Sequence, residues 1–185
     1  MKNILLLGDS IRLIGYGTKV PELLGSEYKV FQPTDNCRFS QYTRRFLRDW
    51  FPKDEEIDVV HWNNGIWDCC EYYGDGCLTP PEFYCDTMVR IARILKTKAK
   101  KVIFATTTPV ADPYEYAKSS SIELYNSLIV PKLEAEGLII NDLYSFVKPN
   151  VDSFICSDRV HLTPAGIDAC AERVCEVLRE VCATL

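Results

Sequence analysis

The sequence predicts an α/β protein, a three-layer αβα sandwich around a central, mostly parallel sheet of five strands. Short apolar segments of strand length alternate with longer segments of helical periodicity along the chain. Such alternation is typical of a parallel sheet with helices on both faces. The length of 185 residues corresponds to about one domain of ~150 residues, so we expect a single domain over residues 1–185.

Five segments have the character of strands. Residues 4–7 are a short apolar run that ends at Gly8, which is typical of a buried strand. Residues 28–31 are less apolar and are soon followed by Pro33. We expect the remaining strands at residues 57–62, 101–105 and 138–140. Ligands of such sheets bind outside the carboxyl ends of the strands, so the polar residues that follow these segments are the candidates for function.

Helical patterns lie between the predicted strands, the first over about residues 40–50. The next begins with Thr79 as the capping residue, Pro80 at the first helical position and Glu82 completing a capping box. We expect four of its apolar residues to face the sheet: Phe83, Met88, Ile91 and Leu95.

Two further helices are predicted in the second half of the chain. One covers about residues 121–136, with a bend at Pro131. The other begins at Thr163 and Pro164 and ends at about residue 182. Its apolar residues repeat at intervals of three and four and form one stripe: Ile167, Cys170, Ala171, Val174, Val177, Leu178 and Val181.

Composition and charge argue against several classes of protein. Hydrophobic residues make up 47% of the chain and charged residues 25%, as in ordinary globular proteins. No apolar run approaches the ~20 residues of a membrane span. The net charge of −5 argues against nucleic acid as the main partner, because phosphate binding usually shows as a basic face. We expect neither a membrane nor a nucleic-acid partner, and the sequence leaves the oligomeric state open.

The sequence contains nine cysteines, an odd number. The apolar run at residues 4–7 is too short for the core of a secretory signal peptide, so we expect a cytoplasmic protein with reduced thiols. Four cysteines lack the paired spacing of common zinc sites: Cys69, Cys70, Cys77 and Cys85. Residues 15–19 contain two glycines and a lysine but lack the pattern of a phosphate-binding loop.

The chain has only two histidines, the commonest general bases near neutral pH. His61 lies within a predicted strand, where a hydrogen-bonded residue of the sheet is the simpler interpretation. His161 follows Asp158 by three residues, a spacing that lets the carboxylate bond the imidazole in a tight turn. Ser10 directly follows the first strand, although Asp9 or Ser10 could instead cap the next helix. Together, Ser10, His161 and Asp158 supply the nucleophile, base and orienting acid of a serine hydrolase.

Two short segments stand at opposite ends of the alternating pattern. Residues 8–11 read Gly-Asp-Ser-Ile after the first strand, and residues 158–161 read Asp-Arg-Val-His before the last helix. They resemble the first and last blocks of the SGNH hydrolases, the superfamily of GDSL esterases and lipases, and the order and spacing match over essentially the whole chain. The resemblance implies a flavodoxin-like SGNH hydrolase fold, with Ser10 as nucleophile, His161 as base and Asp158 as acid.

The middle blocks depart from the usual pattern of this family. Residues 62–68 read Trp-Asn-Asn-Gly-Ile-Trp-Asp, which resembles a variant of the family's Gly-x-Asn-Asp block. This variant implies that Asn63 donates to the oxyanion, with Asn64 as the alternative, whereas a plain turn is the structural alternative. The glycine of the second block is absent, so the N–H of Arg38 or of Gln41 is left to complete the oxyanion hole with the N–H of Ser10.

The activity that the resemblance implies is hydrolysis of a carboxylic ester through an acyl-serine intermediate, without metal or cofactor. We expect four residues to contact substrate: Asp9, Asn64, Trp67 and Tyr72. Three more aromatic rings are expected at the same cleft: Tyr73, Tyr114 and Tyr116. By analogy with carbohydrate esterases of the family, we expect a short acyl group, such as acetate, on a small-molecule or carbohydrate alcohol. The alternative is a catalytically weak member that binds a glycan or a partner without turnover.

Overall fold

Five parallel strands form one sheet in the order β2-β1-β3-β4-β5 in a computed structural model that describes residues 1–185. The strands are β1 (Lys2–Leu7), β2 (Tyr28–Phe31), β3 (Ile57–Asn63), β4 (Ala99–Ala105) and β5 (Ile139–Asn141). Every pairing in the sheet is parallel, so the predicted α/β class and the five-stranded sheet are confirmed. The strand order reverses its direction between β1 and β3, which is the position where sheets of this kind bind ligands.

Seven α-helices surround the sheet. They are α1 (Val20–Leu24), α2 (Ser40–Trp50), α3 (Pro81–Lys96), α4 (Ser119–Ala135), α5 (Leu143–Val147), α6 (Val151–Phe154) and α7 (Pro164–Cys182). Helices α2, α3 and α4 pack on one face, where Leu5 and Leu7 of β1 point. Helices α1, α5 and α7 pack on the other face, where Ile4 and Leu6 point. Alternate residues of the strands therefore pack into two separate hydrophobic layers, one on each face of the sheet, as the predicted three-layer sandwich requires.

Helix α3 begins differently from the prediction. Its N-cap is Pro80, and no side chain caps it. The helix therefore begins one residue later than predicted, and the assignment of Thr79 as its cap was wrong. The main-chain N–H of Thr79 donates to the carbonyl oxygen of Asp68 at 3.0 Å. Phe83 is 63% exposed and Tyr84 is fully buried in its place. The other three residues expected to face the sheet are fully buried: Met88, Ile91 and Leu95.

The start of α7 fixes the position of the loop before it. The Thr163 hydroxyl accepts a hydrogen bond from the N–H of Gly166 at 3.1 Å, which is an N-cap of the predicted kind. A Cβ at Gly166 would lie 2.4 Å from the carbonyl oxygen of Phe154, so only glycine permits this close approach. A single antiparallel bridge between Ile155 and Leu162 closes the loop that contains residues 156–161.

All nine cysteines are free, and seven of them are buried. The buried cysteines of α7 contribute to its apolar stripe, where cysteine acts as a small hydrophobic residue. None of the helices combines the length and the apolar character that crossing a membrane would demand.

Candidate active site

The ends of β1 and β3 bring two functional segments together. Leu7 pairs with Trp62 in the sheet register, so the residues that follow β1 lie beside Asn63, the last residue of β3. A Cβ at Gly8 would lie 2.0 Å from Oδ1 of Asn63. Glycine at this position therefore lets the main chain before Ser10 touch the Asn63 side chain.

Ser10, His161 and Asp158 form a continuous chain of hydrogen bonds. The Oγ atom of Ser10 lies 3.0 Å from Nε2 of His161, and Nδ1 of His161 lies 2.7 Å from Oδ2 of Asp158. Ser10 and His161 are separated by 151 positions in the sequence, so only the folded chain brings them together. This arrangement allows a serine hydroxyl to pass its proton to an imidazole whose other nitrogen is held by a carboxylate.

Asp158 also organises the turn that carries His161. Its Oδ1 atom accepts hydrogen bonds from the main-chain N–H groups of Val160 and His161 at 3.1 and 3.0 Å. Arg159 has a φ of 69°, which is the left-handed conformation that this tight turn requires. Partial burial raises the pKa of Asp158, but hydrogen bonds from the His161 side chain and from the two N–H groups outweigh it and bring the pKa below its ordinary value. The carboxylate is therefore ionised at neutral pH.

Two hydrogen-bond donors lie on the segments that meet at Ser10. The main-chain N–H of Ser10 has no partner within the protein. Oδ1 of Asn63 accepts the hydroxyl proton of Tyr16 at 2.7 Å, which leaves Nδ2 as the donor of this amide. Both donors are of the kind that stabilises an oxyanion.

A pocket of about 460 Å³ opens at Ser10 and His161. Seven other residues line it: Ile66, Trp67, Cys70, Tyr72, Tyr114, Tyr116 and Val160. The rings of Tyr72 and Tyr116 are 5.3 Å apart, and those of Tyr114 and Tyr116 are 5.7 Å apart. The main-chain N–H of Glu71 donates to the carbonyl of Tyr116 at 2.7 Å and ties the two segments together. One wall of the pocket is therefore a connected group of aromatic rings.

Three solved structures are similar to this chain over almost its whole length. An acetyl xylan esterase gives a TM-score of 0.78 at 19% identity, covering 95% of this chain and 98% of that one. A lipase/acylhydrolase from Enterococcus faecalis gives 0.81 at 18% identity, covering 97% and 96%. A catalytic mutant of an acetylxylan esterase from Geobacillus stearothermophilus gives 0.77 at 16% identity, covering 97% and 94%. The sequence matches no protein-family model and no curated protein.

The chain has the fold of the SGNH hydrolases. The predicted resemblance is therefore confirmed for the architecture. The roles of individual residues rest on the geometry of this chain alone.

Within this SGNH fold, the main-chain N–H of Arg38 already has a partner. Its N–H donates to Oδ1 of Asn36 at 2.8 Å, and its exposed guanidinium lies 4.6 Å from the ring centre of Tyr42. The geometry therefore does not support the assignment of Arg38 to the oxyanion hole, because its N–H is bonded to Asn36. Gln41, the alternative, lies in the first turn of α2, and its N–H has no partner in the protein, as is usual at a helix N-terminus.

Asp9 is fully buried and does not line the pocket, so the prediction that it contacts substrate was wrong. Its Oδ1 accepts the N–H of Ile11 at 2.9 Å. Burial raises the pKa of Asp9 to about 6, against the opposing effects of the Asn63 side chain, the Ile11 N–H and Arg12. Asp9, and not Ser10, caps the turn that follows, which leaves the Ser10 hydroxyl for His161.

Asn64 is also buried, and both polar atoms of its side chain make hydrogen bonds within the protein. Its Nδ2 donates to the carbonyl of Arg38 at 2.7 Å, and its Oδ1 accepts from Thr43 and from Trp62. Asn64 therefore joins β3 to the segment before α2. The geometry does not support the predictions that it contacts substrate or replaces Asn63 as oxyanion donor, because both polar atoms of its amide already bond protein groups and the residue does not line the pocket.

Trp67 and Tyr72 line the pocket, and so do Tyr114 and Tyr116. All four were expected at the substrate cleft. Tyr73 does not line the pocket, because it is 90% exposed and lies outside the lining residues. The four cysteines considered for zinc belong to no group of metal-binding side chains that could hold an ion.

Two buried residues near the site escaped the sequence analysis. Arg12 is 1% exposed, and its guanidinium donates to the carbonyl oxygens of Gly8, Pro33 and Asp35. It thereby ties the turn at Ser10 to the segment after β2. Tyr16 is fully buried against the end of β3. The sequence signal that could have found Arg12 is its place inside the apolar stretch of residues 11–14. A charged residue in such a stretch is rarely buried unless it has partners.

Proposed function

We propose that this protein is a serine esterase that hydrolyses short-chain acyl esters, acetyl esters above all, with a carbohydrate as the preferred alcohol. The observation that carries the proposal is the hydrogen-bonded chain from Ser10 through His161 to Asp158, which opens into a pocket. A serine, an imidazole and a carboxylate in this order are the working parts of acyl transfer. The solved structures with the same fold include esterases and an acylhydrolase, which supports the same reaction class.

In the proposed reaction, Oγ of Ser10 attacks the ester carbonyl while Nε2 of His161 accepts its proton. Asp158 holds Nδ1 and stabilises the imidazolium that forms. The tetrahedral oxyanion accepts hydrogen bonds from the N–H of Ser10, the N–H of Gln41 and Nδ2 of Asn63. His161 then protonates the leaving alcohol. Water activated by the same imidazole hydrolyses the acyl-Ser10 intermediate and restores the serine.

The pocket supports the choice of substrate. Its volume of about 460 Å³ lies within the ~300–1,000 Å³ of sites for drug-sized ligands and far exceeds what an acetyl group fills. If the acyl group is acetate, the pocket has room for a larger alcohol. Aromatic rings beside polar groups suit the faces of sugar rings, and Trp67, Tyr72 and Tyr116 supply such rings. Two solved structures of this fold are acetyl xylan esterases, which favours acetylated sugars over long-chain lipids.

Hydrolysis of p-nitrophenyl acetate by the wild type and by Ser10→Ala tests the reaction class. We expect turnover in the wild type and a loss of at least about 1,000-fold in Ser10→Ala, because no other group is placed to attack. Ser127→Ala is a matched control, since this exposed serine of α4 bonds only a local carbonyl, and it should keep full activity. Equal turnover in wild type and Ser10→Ala would refute the proposal.

Competition between ester classes tests the substrate. We expect kcat/KM to fall from acetyl to octanoyl p-nitrophenyl esters, and acetylated xylose or xylobiose to release acetate in a Ser10-dependent manner. A preference for long acyl chains would contradict the carbohydrate assignment. Binding of the sugars without any Ser10-dependent release would instead favour the glycan-binding alternative.

A further inference from the structure

Tyr16 is a buried residue whose hydroxyl holds the side chain of the proposed oxyanion donor. The hydroxyl donates to Oδ1 of Asn63 at 2.7 Å. Tyr16 is fully buried and Asn63 is 3% exposed, so bulk water does not compete for this oxygen. Burial raises the pKa of Tyr16 well above its usual value, so the hydroxyl keeps its proton. The tyrosine is therefore the donor and the amide oxygen the acceptor.

The segment that carries Ser10 also places Tyr16. Residues Ile11–Gly15 form a π-helical turn, and the N–H of Tyr16 donates to the carbonyl oxygens of Ile11 and Arg12 at its end. Such turns are rare and frequent at functional sites. The Tyr16 ring packs edge-on against His61, with 5.6 Å between the ring centres. One short segment thus presents Ser10 to the pocket and Tyr16 to the end of β3.

A second contact restrains the same amide oxygen. Gly8 packs so closely on Oδ1 of Asn63 that a Cβ would lie 2.0 Å from it. Turning the amide over would direct Oδ1 toward the negative charge that develops in the reaction. It would also leave the buried Tyr16 proton without its acceptor, which is costly away from water. One orientation of the Asn63 amide is therefore strongly favoured.

We propose that Tyr16 is a positioning residue, which holds the Asn63 amide so that Nδ2 rather than Oδ1 faces the oxyanion. Tyr16 acts through Asn63 and touches no substrate. The inference rests on the proposed esterase function, because the orientation of a donor matters to the rate only where an oxyanion forms.

Tyr16→Phe tests this role because it removes the hydroxyl and keeps the ring that packs on His61. With p-nitrophenyl acetate we expect kcat to fall ~10- to 100-fold, a part of the ~100- to 1,000-fold cost of losing an oxyanion donor. KM should change less than about 2-fold, since the interaction matters in the transition state. An unchanged kcat would overturn the proposal.

Tyr125→Phe is the matched control. Tyr125 is 1% exposed, and its hydroxyl donates to the carbonyl of Thr79 at 2.6 Å. The variant loses an equally buried hydrogen bond from α4, so it reports the cost of such a loss in general. We expect its kcat to remain within about 2-fold of the wild type. A fall equal to that of Tyr16→Phe would mean that general destabilisation explains both, and would overturn the proposal.

A double variant separates positioning from an independent effect. If Tyr16 acts through Asn63, adding Tyr16→Phe to Asn63→Ala should lower kcat by no more than about 2-fold beyond Asn63→Ala alone. Losses that multiply would overturn the proposal, because they would show that Tyr16 contributes by another route.

NMR of the asparagine side-chain amides gives a readout that needs no turnover. The Asn63 signals are identified by their absence from Asn63→Ala. We expect one set in the wild type, a shifted set in Tyr16→Phe and an unchanged set in Tyr125→Phe. Two exchanging sets in the wild type, or no shift in Tyr16→Phe, would overturn the proposal. If the NMR signals behave as expected but no Ser10-dependent turnover is found, the esterase function is refuted. The hydrogen bond by which Tyr16 orients Asn63 would still be supported.

Discussion

At the scale of single residues, the proposed oxyanion donors differ in how easily substitution can remove them. Asn63 offers a side chain, which almost any substitution removes. Ser10 and Gln41 offer main-chain N–H groups, which every residue except proline supplies. The segment between β2 and α2 can therefore lack the glycine that is usual there in SGNH hydrolases and still provide a donor. What the position needs is an N–H that no local acceptor occupies, and this separates Gln41 from Arg38.

Gln41→Pro tests the donor at this position. Proline is tolerated in the first turn of a helix, where the N–H has no helical partner, so we expect α2 to form. Loss of the N–H should lower kcat for p-nitrophenyl acetate ~100-fold. Gln41→Ala keeps the N–H and should retain full activity. Equal kcat values for the two variants, both folded by circular dichroism, would assign the donor to another residue.

The sequence and the structure agree best where a residue's role follows from a local motif. The turn from Asp158 to His161 is made by neighbours three positions apart, so its form could be predicted from the sequence. Asp9 and Asn64 lie in equally suggestive motifs, yet their side chains point into the protein. The partners of Asn64 include Arg38 and Thr43, which are distant in the sequence. Only the packing of separate segments decides whether such an amide faces a ligand or the interior.

At the scale of elements, helix periodicity was informative and helix boundaries depended on single contacts. The apolar stripe of α7 and its Thr163 cap were predicted, since both are properties of adjacent residues. The start of α3 was not, because the helix begins at Pro81 and Thr79 lies outside it, bonded to Asp68 of another segment. Helices α5 and α6 have five and four residues and are too short to show a periodicity.

The junction between α6 and α7 supports the loop that carries His161. The N–H of Thr163 donates to the carbonyl of Phe154 at 2.8 Å, and Gly166 packs directly on that carbonyl. In Gly166→Ala the new Cβ would meet this oxygen at 2.4 Å, so α7 and Phe154 must separate. We expect the free energy of unfolding to fall by ~1–3 kcal/mol, and kcat to fall because the His161 loop shifts away from Ser10.

Ala165→Gly is the control for this change. Ala165 is exposed in the same turn, and its replacement costs up to ~1 kcal/mol of helix propensity without touching Phe154. Urea unfolding should show a loss of stability in both variants, whereas kcat should fall only in Gly166→Ala. A normal kcat in a destabilised Gly166→Ala would mean that the junction stabilises α7 without placing His161.

At the scale of the whole molecule, the sheet contains polar side chains that the proposed reaction does not use. His61 is fully buried in β3. Its Nε2 lies 3.2 Å from the amide nitrogen of Asn141 in β5, so Nε2 accepts this hydrogen bond and the ring is neutral. Burial lowers the pKa of His61 to about 3. His161 is therefore the histidine left for the proposed reaction, and we expect His61 to affect the stability of the protein.

The stability of the protein should therefore depend on pH through His61. Its unfolded pKa is ~6.5 and its folded pKa is about 3, so between these values only the unfolded chain binds the proton. The free energy of unfolding must fall as the pH falls below ~6.5. From about pH 7.5 to about pH 5.5 the loss from this one residue is roughly 1.4 kcal/mol. Asp9 and Asp68 act in the opposite sense, since burial raises the pKa of each to about 6.

His61→Gln isolates this contribution because the variant keeps a polar side chain beside Asn141 and has no titrating ring. Poorer packing of the glutamine lowers the free energy of unfolding of the variant by an amount that does not depend on pH. The two buried carboxyl groups remain in both proteins and cancel in the comparison. Urea unfolding should show the stability advantage of the wild type shrinking by roughly 1.4 kcal/mol between about pH 7.5 and about pH 5.5. Parallel curves for the two proteins would mean that the folded state accommodates a charged His61, which its burial in the sheet argues against.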